Sequence, residues 1–138
     1  MSGSFTPAEL FEKAEETLAS ARVMLDLGYA GGACNRAYYA MFDAARAALR
    51  TKGLGGRIKT HSGVINLFSL QFVKDGPLAS DFGQLFKQAE KARYGADYLD
   101  EPVLIENAEL AVANAEIFLA AIAALIASEP STSSPPDC

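Results

Sequence analysis

Between Leu104 and Leu125 apolar residues return at alternating spacings of four and three: Leu104, Ala108, Ala111, Ala115, Phe118, Ile122 and Leu125. Only a helix of about 3.6 residues per turn places such positions on one face, and a stripe of that length has to be buried against other elements. Pro102 is suited to open this helix, because its missing N–H would have no partner in the first turn. The rest of the chain has to supply the surfaces that cover the stripe. Asn114 and Glu116 interrupt the apolar run from Leu110 to Ala127, so no stretch of about 18 uncharged apolar residues exists and no membrane span is expected.

Four further segments carry the same period. Thr6, Pro7 and Glu9 spell a capping box with proline at the first helical position. The helix they start should run to Leu27, with Phe11, Ala14, Leu18, Ala21 and Leu25 on its inner face and Gly28 as its stop. A second helix is expected from near Gly32 to Lys52, with Ala37, Met41, Ala44 and Ala48 inward; such small residues permit close helix packing. Gly53, Leu54, Gly55 and Gly56 then break it into a flexible basic loop. A shorter helix should start at Thr60 or His61 and end near Phe72, with His61, Ile65, Phe68 and Phe72 in phase. Lys74, Asp75, Gly76 and Pro77 read as a turn, and Phe82, Leu85, Ala89, Ala92, Ala96 and Leu99 mark a fourth helix, weakened near its ends by Gly83 and Gly95.

Five amphipathic helices with short connections imply an all-α protein, an up-and-down four-helix bundle with one additional short helix. Val, Ile and Thr are sparse while Ala and Leu dominate, which agrees with helix over strand. The chain of 138 residues has room for one domain, residues 1–128. Residues 129–138, with three prolines, three serines and no periodicity, read as a disordered tail without an assigned role. The N-terminus lacks the basic start and apolar middle of a secretory signal, so the expected location is cytoplasmic. Cys34 and Cys138 should stay reduced there, and their separation matches no zinc-ligand spacing.

Charge is distributed unevenly. From Ala44 to Lys74 there are six cations (Arg46, Arg50, Lys52, Arg57, Lys59, Lys74) and no acid, so the remainder of a chain with net charge −5 is strongly acidic. The basic third can meet a polyanion; it can equally be a solvated surface paired with acids of neighbouring helices. The sequence offers no glycine-rich phosphate loop after a strand, no metal-spaced His and Cys cluster and no recognisable Ser, His, Asp context, which removes most common enzyme classes and leaves no cofactor or metal to expect. What stands out is the second helix. Arg36 and Asp43 are seven residues apart, on one face and about 10 Å apart along the axis, with Tyr39 between them and Arg46 and Arg50 prolonging the stripe. An Arg presents a planar fork to a phosphate, and a nearby carboxylate can orient it or act as a base. The same spacing also suits a structural network in which Asp43 pairs with Arg46 and Arg36 with an acid of another helix.

The run NRAYYAMFDAARAAL at 35–49, KTHSG at 59–63 and ARYGADYLD at 92–100 together resemble the HEPN family of small prokaryotic helical proteins, over roughly residues 8 to 125. The resemblance implies a bundle that forms a homodimer and is often encoded beside a small nucleotidyltransferase as a toxin and antitoxin pair. It also implies, for many members, metal-independent ribonuclease activity carried by an Arg and, four to six residues later, a His facing the dimer cleft. Arg36 matches the Arg, while the His position after six residues is Asp43 and the often polar residue after the Arg is Ala37. Cleavage by 2′-OH attack needs an acid for the leaving oxygen, and an unperturbed Asp near pKa 3.9 is ionised where a His near 6.5 exchanges protons. Asp43 thus fits at most the role of base, and its charge opposes the phosphate that Arg36 would attract unless burial raises its pKa. His61 is the group that could take its place if the basic loop brings it to the cleft; a His in phase with Ile65 and Phe68 is equally a core or capping residue. Tyr38, Tyr39, Tyr94 and Tyr98 read as packing residues with a hydroxyl reaching a partner, and none has the spacing of the tyrosine that accepts AMP in some family members.

The expected function is therefore the HEPN component of a toxin–antitoxin-like pair that binds RNA or a nucleotide at a dimer cleft, with weak or absent ribonuclease activity. The catalytic candidates are Arg36, Asp43 and His61, and the RNA- or nucleotide-binding candidates Arg36, Tyr39, Arg46, Arg50, Arg57 and Lys59. The alternative is a noncatalytic helical subunit that binds a nucleotidyltransferase.

Overall fold

Thr6 and Glu9 form the capping box that their spacing predicts: the Thr6 N–H donates to Glu9 Oε1 at 2.9 Å and the Glu9 N–H donates to Thr6 Oγ1 at 3.1 Å. With Pro7 at the first position, this starts helix α1 (Pro7–Asp26). It ends where the sequence puts the stop. Gly28, at φ +81°, takes the left-handed conformation that a side chain disfavours, its N–H donates to Leu25 O, and the Tyr29 N–H donates to Met24 O. Helix α2 (Ala30–Thr51) closes the same way through Gly53 at φ +70°, with the Gly53 N–H on Arg50 O and the Leu54 N–H on Leu49 O. The computed structural model describes residues 5–54, 56, 58, 60–74, 76–98 and 102–128. The expected tail at 129–138, Cys138 and the centre of the basic loop at Gly55, Arg57 and Lys59 lie outside these.

Helix α2 begins at Ala30 rather than Gly32. The turn at Gly28 is so tight that Tyr29 is both the end of one helix and the cap of the next: its N–H closes α1 while its carbonyl already accepts from Ala33. Helix α3 (His61–Phe68) is capped by Thr60, whose Oγ1 accepts from the Gly63 N–H at 3.0 Å. The single helix expected to reach Phe72 instead widens into a π-helical segment, Ser69–Lys74. Helices α4 (Ser80–Tyr98) and α5 (Ile105–Ser128) complete the bundle. The fold is the all-α bundle of four long helices and one short one that the periodicity implies, with no strand among the described residues.

Helix α2 runs through the middle and touches α1, α3, α4 and α5. Ala33, Ala37, Ala40, Ala44, Ala45, Ala47 and Ala48 are all fully buried, so neighbouring helices approach its backbone with almost no side chain between them. The space left beside this narrow axis is filled by rings. Phe68, Phe72, Phe86 and Phe118 are fully buried, with successive centroids 5.3–5.7 Å apart.

Those rings also set the rotation of α4, which differs from the sequence reading. Phe82, Leu85 and Ala89 are only half-buried and Ala92 is exposed, whereas Phe86 and Arg93 turn inward. Burying one phenyl ring removes far more apolar area from water than burying an alanine stripe, so Phe86 decides which face of α4 meets the core. On α5 the predicted positions Ala108, Ala115, Phe118, Ile122 and Leu125 are buried and joined by Val112 and Leu119, while Leu104 lies before the helix and is exposed. Among the described residues α5 is the one helix long and apolar enough to cross a bilayer, by length and composition only; its buried face belongs to the core of the bundle.

The closeness of α2 to its neighbours makes enlargement costly. Ala44→Leu is expected to lower the free energy of unfolding by about 1–3 kcal/mol through overpacking. Ala113→Leu, on the exposed side of α5, should change it by no more than about 0.5 kcal/mol. Urea denaturation of the two variants beside the parent measures the difference.

Candidate functional site

Because α2 is packed on most sides, its polar residues gather on one seam, open at Arg36, half-buried at Asn35, Tyr39, Arg46 and Arg50 and closed at Asp43. Arg36 is exposed, and among the described residues it has no ion pair. Asp43, two turns further on, is buried. Its Oδ2 accepts from Lys13 Nζ at 2.9 Å and its Oδ1 from an Arg46 guanidinium nitrogen at 3.3 Å. Arg46 also lies over the Phe42 ring at 5.8 Å, and Arg50 donates to the Phe5 carbonyl at 3.0 Å. The network between Asp43 and Arg46 is the structural alternative that the spacing left open. The Lys13 partner comes from α1, thirty residues away in sequence, where no local pattern could announce it.

His61 has other neighbours. As the first residue of α3 it stands among the rings of α2, with centroid distances of 4.6 Å to Phe42, 5.5 Å to Tyr39 and 5.6 Å to Tyr38. Its Nδ1 faces an Arg93 guanidinium nitrogen at 3.5 Å, and the Arg93 guanidinium carbon sits 5.2 Å from the Tyr38 ring and 5.9 Å from the Tyr39 ring. Burial lowers the His61 pKa, the positive charge of Arg93 lowers it further, and the Glu90 carboxylate on α4 opposes both. An arginine can only donate, so its approach to Nδ1 favours the neutral tautomer with the proton on Nε2. Tyr38 is fully buried, its hydroxyl has no hydrogen-bond partner among the described residues, and burial raises its pKa.

The structure thus brings His61 to Tyr39 but joins Asp43 to Lys13 and Arg46. Arg36 and Tyr39 are neighbours one turn apart on the seam, and Phe42 stands as a wall between the two groups. Arg57 and Lys59 lie outside the described residues, as does the side chain of Tyr98, while Tyr94 is exposed. Arg93 and Glu90 were missed as chemically relevant. Arg93 stands inside the ARYGADYLD motif, but the alanine stripe of that helix pointed to the wrong face. No group of three or more His, Cys, Asp or Glu side chains arranged to hold a metal occurs among the described residues. The arrangement offers an exposed guanidinium for a phosphate, the half-buried Tyr39 ring one turn away, and a neutral imidazole against that ring.

Fold and site together define a helical-bundle protein that carries an arginine motif on the open seam of its central helix. The HEPN domain family matches residues 8–125, and the chain belongs to that family. It is 37% identical over 110 residues to a Methanocaldococcus jannaschii protein named "Putative toxin", covering 80% of this chain and 81% of that one. It is 36% identical over 116 residues to a Thermotoga maritima protein named "UPF0332 protein", covering 83% and 86%. The crystal structure of an archaeal HEPN homologue superposes with a TM-score of 0.71 at 20% identity, covering 89% of this chain and 99% of that one, which shows the shared fold.

Two outcomes follow from the local electrostatics. Asp43→Ala should destabilise the fold by about 1–3 kcal/mol, as charged hydrogen bonds do. The cost stays below that of a fully buried pair because the side chains of Lys13 and Arg46 are 49% and 30% exposed and keep water when the carboxylate is gone. Chemical denaturation at neutral pH checks this. A His held below its ordinary pKa by folding takes up a proton on unfolding between about pH 6.5 and its folded value, so its contribution is constant above that window and is lost as pH falls through it. The parent chain should therefore lose more stability between pH 7 and pH 5.5 than His61→Phe, measured by the same denaturation at both pH values.

Proposed function

We propose that this chain is the HEPN component of a toxin–antitoxin-like pair, acting in the cytoplasm as a homodimer that holds RNA or a nucleotide at a cleft bordered by the open seam of α2. In this reading Arg36 takes the phosphate, Tyr39 stacks on a base, and Arg46 and Arg50, with Arg57 and Lys59 of the following loop, extend the basic surface. The partner is a nucleotidyltransferase antitoxin. The name of the Methanocaldococcus relative supports the toxin side of the pair.

Ribonuclease activity is feeble or absent, and one observation carries this: Asp43, at the position where the family's ribonucleases have their His, is buried and already bound by Lys13 and Arg46. A carboxylate with both oxygens held by Lys13 and Arg46 is not free to reach a 2′-OH or the leaving oxygen. His61 does not fill the gap as it stands, since a neutral imidazole with its bare nitrogen turned to Arg93 has no free base to offer.

Incubating the purified chain with RNA tests the reading, with Arg36→Ala and Asp43→His beside the parent. The parent is expected to cleave little and Asp43→His no less; strong cleavage by the parent that Arg36→Ala abolishes would sink the proposal. RNA binding should be salt-sensitive, each phosphate contact adding about −0.7 to the slope of log affinity against log salt for a single strand, and Arg36→Ala should reduce that slope by somewhat under one unit. Binding undetectable even near 50 mM salt would favour the noncatalytic subunit.

A further inference from the structure

A groove of opposite charge runs between α1 and α5. Two adjoining hollows, of about 240 Å³ and 520 Å³, share Phe11, Glu15 and Ala123 as walls. The floor is apolar, built from Phe11, Leu18, Leu119, Ala123 and Ile126, and the α1 rim carries Glu12 and Glu15. One end is closed by the ion pair of Arg22 Nε with Glu116 Oε2 at 2.6 Å. From Pro7 to Arg22 the groove spans about 22 Å, the length of roughly four helical turns.

The two rim carboxylates call for an explanation. Acids stabilise the N-terminus of a helix only within its first turn, which accounts for Glu9 but not for Glu12 or Glu15. Both are exposed, and among the described residues neither has an ion pair. Carboxylates beside an apolar trough repel nucleic acid and anionic lipid, and they favour a partner with apolar residues along one stripe and cations beside it. The last ten residues of this chain do not fit, because they carry Glu129 and Asp137 and no cation.

We propose that the α1–α5 groove is a docking site for a basic amphipathic helix of a partner protein, which lays its apolar stripe on Phe11, Leu119 and Ala123 and sets Lys or Arg against Glu12 and Glu15. The site is independent of the α2 seam and of what binds there. By contrast, the hollow between α4 and α5 is lined by Gln88, Asn107 and Asn114 and has no carboxylate to select for such a helix.

The test uses a fluorescent synthetic peptide of about 15 residues, matched to the groove, with a Leu and Ala stripe flanked by Lys, and a twin with Glu for every Lys. Titrated with the full chain, the Lys peptide should give a saturable anisotropy change and the Glu twin none. Glu12→Lys with Glu15→Lys should weaken the Lys peptide about tenfold or more, a change of about 1.4 kcal/mol or greater. Asp26→Lys with Glu106→Lys alters net charge equally on exposed positions away from the groove and should change affinity by less than about twofold. Ala123→Arg, which fills the floor, should abolish binding, with circular dichroism confirming an intact fold for each variant. Absence of binding, or equal losses in the two double variants, overturns the proposal. So does self-association of the chain that disappears in the Glu12, Glu15 variant, since a second copy would then be the occupant.

Discussion

The close packing of one helix by all the others governs this structure. Helix α2 is lined with alanines at zero exposure, so its neighbours settle against its backbone and leave a single seam uncovered. A charged side chain on any other side of α2 would have to be buried without water, at a cost of several kcal/mol. The arginines and Tyr39 therefore share one line, and Asp43, buried on that same line, is accommodated by the cations of Lys13 and Arg46. The position of the polar motif is a consequence of the core before it is a matter of function.

That logic divides what the sequence reveals from what it hides. The box at Thr6 and the stops at Gly28 and Gly53 depend on residues within five positions of each other and were legible, as was the start of α3 at Thr60 or His61. The rotation of α4 was not, because Phe86 turns inward for the sake of Phe68 and Phe118, which belong to other helices. The same rotation hid Arg93, and with it the reason that His61 is an uncharged ring among rings. Lys13 was hidden too: nothing near it in the sequence says that its partner is a carboxylate on the next helix. The widening of α3 over Ser69–Lys74 likewise has no signature in the apolar period.

The cations of the seam turn out to have two tasks. Arg46 steadies its α2 neighbour Asp43, whose other oxygen takes Lys13 of α1, and Arg50 ties the start of α1 to α2 through the Phe5 carbonyl. An arginine has five N–H donors, and one or two spent on the fold leave others for a phosphate. The basic seam and the acidic groove thus lie along different edges of α1, and the protein presents surfaces of unlike charge to unlike partners.

The alanines of α2 also set the direction in which the sequence can drift. A fully buried alanine has only one smaller replacement, glycine, which costs a helix interior about 0.5–1 kcal/mol, and every other exchange adds atoms where there is no room. Six of the fifteen residues in the run NRAYYAMFDAARAAL are alanines of this kind: Ala37, Ala40, Ala44, Ala45, Ala47 and Ala48. The signature that makes the chain recognisable is in large part a record of volume, and a relative can retain it unchanged while exchanging the polar residues that decide what the seam does.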